Sequence, residues 1–349
     1  MRIRVPVTPL VNKIHTPSKV ILLGLFAAAL LAPLPYVLIA PSTPDDVLGK
    51  LISIDGVPTF QDRAKDKTIK SRLFITSVLV TNPNSYISGG EILLNWISGD
   101  TAVLPHDSVF PPEKTEAQVT AENTADMKNS QSEATAASLS YLGYDLKSAV
   151  EITDIKIESD AFKKLRKSDR IVSVAGTRIS KASDIRDALK AKKVGDLVAI
   201  TVARDNLTFL VKLMANSEGA PVVGIFVSNS YDFPISVKFN LERTGGPSGG
   251  LIFSLGIIEK LAPEDLLRGR KVAGTGTIDA AGNVGPIGGI NEKLIGAAKA
   301  GATIFLAPEA NCVDLTDIPK GLIVIPVKTL KAAVSVLQSE NPARFSGCK

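Results

Sequence analysis

Apolar and polar positions alternate in texture along the chain. Residues 20–40, VILLGLFAAALLAPLPYVLIA, form a run of twenty-one without a charge. As a helix, such a run is long enough to cross the roughly 30 Å of hydrocarbon in a bilayer. Pro33 and Pro35 should kink or shorten it near its far end. After a short linker at Pro41–Asp46, the aliphatic runs LISI (51–54), RLFITSVLVT (72–81) and EILLNWI (91–97) predict strands. A polar, proline-containing stretch covers 99–114. The Ala/Glu/Gln/Ser-rich run Glu113–Tyr141 has no proline and predicts a helix, with Met127, Ala134, Ala137 and Leu142 facing inward.

Residues 146–213 read as a compact unit. AVEITDI (149–155) suggests a strand, and AFKKLRKSDRIVSVAG (161–176) a short helix, a turn and a second strand. Residues Ala182–Lys193 suit a helix with Ser180 or Ser183 near its start, and LVAITVARDNLTFLVKL (197–213) suits a hairpin turning on Asp205-Asn206. The final third alternates. VVGIFVS (222–228) and ISVKFNLE (235–242) read as strands, and Pro247–Leu261 as a helix. KVAGTGTI and NVGPIGG form a hairpin around Ala280-Ala281-Gly282. A helix at Ile290–Ala300, strands TIFLA (303–307) and IVIPV (323–327) and a helix at Leu330–Gln338 complete it. Such layering is that of an enzyme-sized α+β or α/β structure, with no internal repeat.

Charge changes the picture at one end only. The net charge is +5, but Arg2, Arg4, Lys13 and Lys19 supply +4 of it, with no acid among the first nineteen residues. No basic surface for nucleic acid is indicated. The basic stub before an uncharged run instead predicts a membrane anchor that keeps the stub inside and later residues outside the cytoplasm. A cleaved signal peptide is the rival, though its apolar core is usually about 7–15 residues and the small-x-small cleavage pattern is poor here. Cys312 and Cys348 both fall on the presumed outer side, where they either pair or remain two unremarkable thiols. His15 and His106, the only histidines, cannot build a metal site by themselves. A 45% apolar composition supplies real cores and argues against disorder.

Chemistry centres on Gly245-Gly246-Pro247-Ser248-Gly249-Gly250. A serine at a helix start among glycines is often a cap. The same placement exposes a hydroxyl, lets a substrate backbone approach and aims helix N–H groups at a developing oxyanion. Gly246, Pro247 and Gly249 would shape that groove. A nucleophilic serine needs a base. Lys293 shares a helical stripe with Ile290 and Ala297, where burial would favour its neutral amine. A snorkelling lysine is the alternative from spacing alone.

Two resemblances extend this reading. L-x-x-x-D-R-I-V-S-V-A-G-T-x-I (Leu165–Ile179), with the helix and hairpin after it, resembles the core of a PDZ domain. That implies peptide binding by strand addition between strand 149–155 and helix 182–193, with Leu142-Gly143-Tyr144 the nearest candidate for a carboxylate-binding loop; a small spacer domain is the plainer reading. Val237–Pro326 resembles the proteolytic domain of Lon proteases. G-P-S-G-G resembles the family's G-P-S-A-G and implies Ser248 as catalytic serine. V-A-G-T-G-T-I-D-A-A-G-N-V-G-P-I-G-G-I-N-E-K resembles the segment ending G-G-x-K-E-K and implies Lys293 as base, with Thr275 positioning its amine. The chain departs from that pattern where an acid usually precedes G-P-S, a place taken here by Gly245 and Gly246, and at Gly249 (for alanine), Asn291 (for lysine) and Thr277 (for glutamate).

The whole resembles the membrane-anchored, PDZ-containing Lon-like proteases. This implies a fold with one transmembrane helix and anchor (1–44), a first protease half (45–141), an inserted PDZ-like domain (142–216) and a catalytic domain (217–349). It also implies extracytoplasmic protein or peptide substrates and the homo-hexamer common in Lon-type domains. No G-x-x-x-x-G-K-[ST] occurs, so no phosphate-cradling loop is supplied, and unfolded or flexible substrates are expected. No cofactor or metal is expected. A catalytically inactive PDZ-bearing surface scaffold is the other reading of the same residues.

Overall fold

The computed structural model describes residues 16–58, 71–82, 85, 87–110, 116–216, 218–241, 246–263 and 265–348. Arg2, Arg4, Lys13, His15 and Gly245 lie outside the described residues. Two compact units are formed, one from within residues 1–41 and 78–116, the other from within 42–77 and 117–349.

In the first unit, helix α1 (Thr16–Leu31) spans sixteen residues and ends before the prolines. Pro33 and Pro35 do more than kink it: the chain leaves the helix and enters a strand at Tyr36–Pro41, paired antiparallel with Val78–Val80 and Ala102–Pro105. The uncharged run is therefore part helix and part strand. Among the described residues, no helix is long and apolar enough to cross a membrane. The expected strand at 91–97 is instead helix α2 (Gly89–Ser98). Ser88 and Glu91 form a reciprocal capping box, which starts a helix that the aliphatic run alone had suggested as strand.

The second unit is built on a mainly parallel sheet. Strand β1 (Arg72–Ile75) begins it. Helix α3 (Glu116–Tyr141) follows and leads into a separate lobe. That lobe has strands β2 (Lys147–Ile155) and β3 (Arg170–Val174), helix α4 (Ala182–Leu189), strands β4 (Leu197–Val202) and β5 (Thr208–Lys212), and strand β6 (Ile225–Asp232). Its sheet order is β5-β4-β3-β2-β6. The sheet thus takes in β6, which pairs antiparallel with β2 from Ile225↔Ile155 to Asp232↔Lys147. Alternating inward positions, Val150 and Ile152 on β2 and Val198, Ile200 and Val202 on β4, enclose the lobe's core with Ile185 and Leu189.

The chain then returns through helix α5 (Gly250–Leu261), strands β7 (Lys271–Gly274), β8 (Thr277–Ile278) and β9 (Val284–Gly285), and helix α6 (Ile290–Lys299). Strands β10 (Ile304–Pro308) and β11 (Ile323–Val327) and helix α7 (Leu330–Gln338) close it. The sheet runs β11-β10-β7-β1 in parallel, with Asp45–Asp46 antiparallel at the edge. Past the exposed Arg72 and Lys271 at their starts, its parallel strands are apolar because helices cover both faces. Leu73, Val272, Leu306 and Ile325 pack toward α5 and α7, while Ala273, Phe305 and Val324 pack toward α6. Helix α5 is buried from Gly250 to Lys260 and is the centre of the unit. Buried Lys260 donates to the Leu48 and Gly49 carbonyls at 3.0 and 3.3 Å, so its charge is met by backbone. Helix α3 lies close to α5 through small residues, the Ser138 hydroxyl donating to Ser254 O at 3.1 Å.

Candidate active site

Ser248 sits in a turn two residues ahead of α5, which starts at Gly250 rather than at the expected Pro247, with Gly249 as its N-cap. The loop ahead of it is braced by α3: Gly246 N donates to Asn123 O at 3.2 Å, and Ser130 Oγ donates to Pro247 O at 2.9 Å. The carbonyl of Ser248 accepts from Gly276 N at 2.8 Å and from Thr275 Oγ1 at 3.0 Å. The serine backbone is thereby fixed between a helix start and the strand after β7.

The departure at Gly249 has a steric reason. A methyl group there would lie 2.5 Å from Ile75 Cδ1 and 2.9 Å from Phe253 Cε2. Asn291, another departure, holds a loop instead: its Nδ2 donates to Asp314 O and its Oδ1 accepts from Thr316 N, each at 3.0 Å.

Lys293 is buried, at 3% exposure, on the α6 stripe with Ile290, Leu294 and Ala297. It does not snorkel. Its Nζ donates to Thr275 Oγ1 at 3.2 Å, and Thr275 is fully buried. One hydroxyl can do both jobs, its proton going to Ser248 O while a lone pair accepts from the lysine. Burial pulls the Lys293 pKa down to about 8, and the neighbouring Glu292 carboxylate opposes that only in part. The geometry therefore joins Lys293, Thr275 and Ser248 in one chain of contacts. The lysine's hydrogen bond goes to Thr275 rather than to the Ser248 hydroxyl.

Asn311, in the turn after β10, was not singled out by sequence, yet it holds the segment ahead of α6. It is buried, its Oδ1 accepts from Ile287 N at 2.9 Å and its Nδ2 donates to Ile287 O at 2.8 Å. Next to it Cys312 is bonded to Cys348, which resolves the open choice between pair and free thiols. Among the described residues, no cluster of His, Cys, Asp and Glu could hold a metal ion.

The groove beside helix α4 lies elsewhere than the motif suggests. Helix α4 covers the core over β2, but the open groove lies between it and β6, because β6 has added itself to the edge of β2. Ile185 and Leu189 line one wall of an apolar groove of about 290 Å³, with Val223, Ile225 and Val227 on the other. Gly224, at φ +83°, makes the turn into β6. A side chain there would be strained and would also strike Ser159 Cβ at 2.4 Å. The Val222–Ile225 turn, not Leu142-Gly143-Tyr144, closes the groove end.

Residues 242–338 match the family model of the Lon protease (S16) C-terminal proteolytic domain, and residues 127–213 match that of the PDZ domain. Lon protease 1 of Bacillus subtilis is 37% identical over 92 residues, covering 26% of this chain and 12% of that protein. Lon protease of Endomicrobium trichonymphae is 30% identical over 154 residues, covering 43% and 18%. The archaeal Lon protease of Methanocaldococcus jannaschii is 34% identical over 109 residues, covering 31% and 16%. The chain thus spans less than a fifth of the length of each of these relatives. Among solved structures, the PDZ domain of the SdrC-like protein Lin2157 from Listeria innocua is similar at 28% identity, covering 23% of this chain and 92% of that one, with a TM-score of 0.22. The Lon similarity supports a serine protease function. The chain carries a PDZ domain followed by a Lon protease C-terminal proteolytic domain.

Proposed function

We propose that the protein is an ATP-independent serine endopeptidase in which Ser248 is the nucleophile, Lys293 the general base and Thr275 the residue that orients the amine. The observation that carries this is the buried Lys293 amine, with its pKa near 8, bonded to the threonine that also holds the serine backbone. At neutral pH about a tenth of such an amine is neutral, enough for a base. The neutral amine takes the Ser248 proton as Oγ attacks a peptide carbonyl. Backbone N–H groups at Ser248 and Gly249 stabilise the oxyanion, with Gly246 and Pro247 shaping the approach. Protonated Lys293 then gives its proton to the leaving amine, and water hydrolyses the acyl-enzyme.

The PDZ groove selects flexible segments of protein substrates by strand addition to β6. Anchoring at a membrane, with the catalytic unit outside the cytoplasm, is supported by the basic stub before an uncharged run and by the Cys312–Cys348 bond, which suits an oxidising compartment. The exposed apolar surfaces of α1 and of α2, where Trp96 is 74% exposed, suit the same setting. Assembly as a homo-hexamer belongs to this proposal and is suggested by the resemblance to Lon.

The other reading, a PDZ-bearing scaffold without catalysis, draws on a different point: the Lys293 amine bonds to Thr275 and not directly to the Ser248 hydroxyl. Purified protein and its Ser248→Ala variant separate the two. Hydrolysis of an unfolded protein and labelling by a fluorophosphonate are expected from the first and not from the second. Equal hydrolysis by both, or none by either, would sink the protease reading.

A further inference from the structure

Glu133 lies on α3, only 6% exposed, and has no part in the chemistry above. A buried carboxylate is costly unless its oxygens are met by donors. Here the donors come from two sides. Asn229 Nδ2 and Tyr231 OH, both on β6, donate to Oε1 at 2.8 Å each. The Ala280 amide, in the turn between β8 and β9, donates to Oε2 at 2.6 Å.

Each side leads on to a site. Asn229 Oδ1 accepts at 2.9 Å from the amide of Ala182, the first residue of α4, so it ties together the two walls of the peptide groove. On the other side, β8 directly follows Thr275 and Gly276, the two residues that donate to the Ser248 carbonyl. One turn before Glu133 on α3, Ser130 holds the carbonyl of Pro247. A single carboxylate therefore joins the groove strand to the catalytic turn, on the helix that braces the nucleophile loop.

The groove also continues toward it. A cleft of about 580 Å³ opens between α3 and β6, with Asn129 and Ser132 on one side and Ser228 and Ser230 on the other. Ala182 and Val227 line both this cleft and the apolar groove. Strand β6 is the last in its sheet order, which leaves an edge for an added strand. A chain laid antiparallel on β6, with its C-terminus at the Gly224 turn, would run its upstream residues through the cleft past Asn229 and Tyr231.

We infer that Glu133 is a positioning residue that transmits occupancy of the β6 groove to the catalytic turn, so that a peptide lying along β6 changes turnover at Ser248 and not only substrate capture. This rests on the assignment of Ser248 as nucleophile. The test uses the full chain, a fluorogenic peptide too short to reach the groove, and a separate synthetic peptide with a free apolar C-terminus. Peptide binding is expected to raise kcat on the short substrate several-fold and to slow hydrogen exchange in residues 277–285. Glu133→Gln should lower kcat about tenfold with KM little changed, bind the peptide as well and lose both responses. Tyr231→Phe, which keeps the ring's packing, should lose part of them. Wild-type responses in Glu133→Gln, or a wild-type protein that fails to bind the peptide or binds it without either response, would overturn the inference. If exchange responds while no short substrate is turned over, the assignment of Ser248 fails and the coupling stands.

Discussion

At the scale of single residues, Lys293 is the group whose state decides most. Its amine is neutral above a pKa of about 8, lowered there by burial, so kcat/KM for a short peptide should climb with pH to a plateau above about 8. A flat profile from pH 6 to 9 would remove Lys293 from the base role. The same shift has a sign for stability. The folded chain releases this proton near pH 8 and the unfolded chain near 10.5, so the unfolded state binds more protons in between and stability rises with pH across that window. Below pH 8 the full penalty of about 3 kcal/mol is present. Lys293→Met should therefore abolish hydrolysis while raising the urea midpoint at pH 7. A variant that is inactive and less stable would show that the lysine serves packing instead. Lys260, equally buried, makes the contrast plain: it meets two carbonyls and serves structure.

At the scale of elements, the start of α5 is set by what lies against it. Gly249→Ala should destabilise the protein by about 1–3 kcal/mol, since a methyl enters space held by Ile75 and Phe253. Adding Ile75→Val should recover much of that loss, measured by urea denaturation; no recovery would mean that Phe253 or the backbone sets the limit. The sequence was most legible where pattern and environment coincide. The α6 stripe placed Lys293 inside, and Pro247 with its glycines placed Ser248 at a helix start. Legibility failed where a neighbour in space decides. EILLNWI reads as strand until Ser88 and Glu91 are taken as a cap. The run at 20–40 reads as one span, although Pro33 and Pro35 end its helix and a sheet takes the remainder. The groove strand was misplaced because no local signal shows that β6 returns to the edge of β2. Glu133 and Asn311 are single polar residues whose partners lie far along the chain, and no spacing reveals them.

At the scale of the whole molecule, the Cys312–Cys348 bond closes a loop with a sequence separation of 36 beside the anchor of α6. By the chain-entropy estimate its loss costs about 4 kcal/mol. Reduction, or a Cys348→Ala variant, should lower the thermal midpoint, and an unchanged midpoint would show that the bond is idle. A further consequence lies in the complete burial of α5. Ser248, the proposed nucleophile, lies just ahead of the central helix of its unit, so fraying at the periphery should not leave a working serine behind. Activity should vanish in urea together with far-ultraviolet ellipticity, while fluorescence of Trp96, the sole tryptophan, follows the other unit. If Ser248 is the nucleophile, a chain built this way fails safe: damage silences it before it can become an indiscriminate cutter of its neighbours.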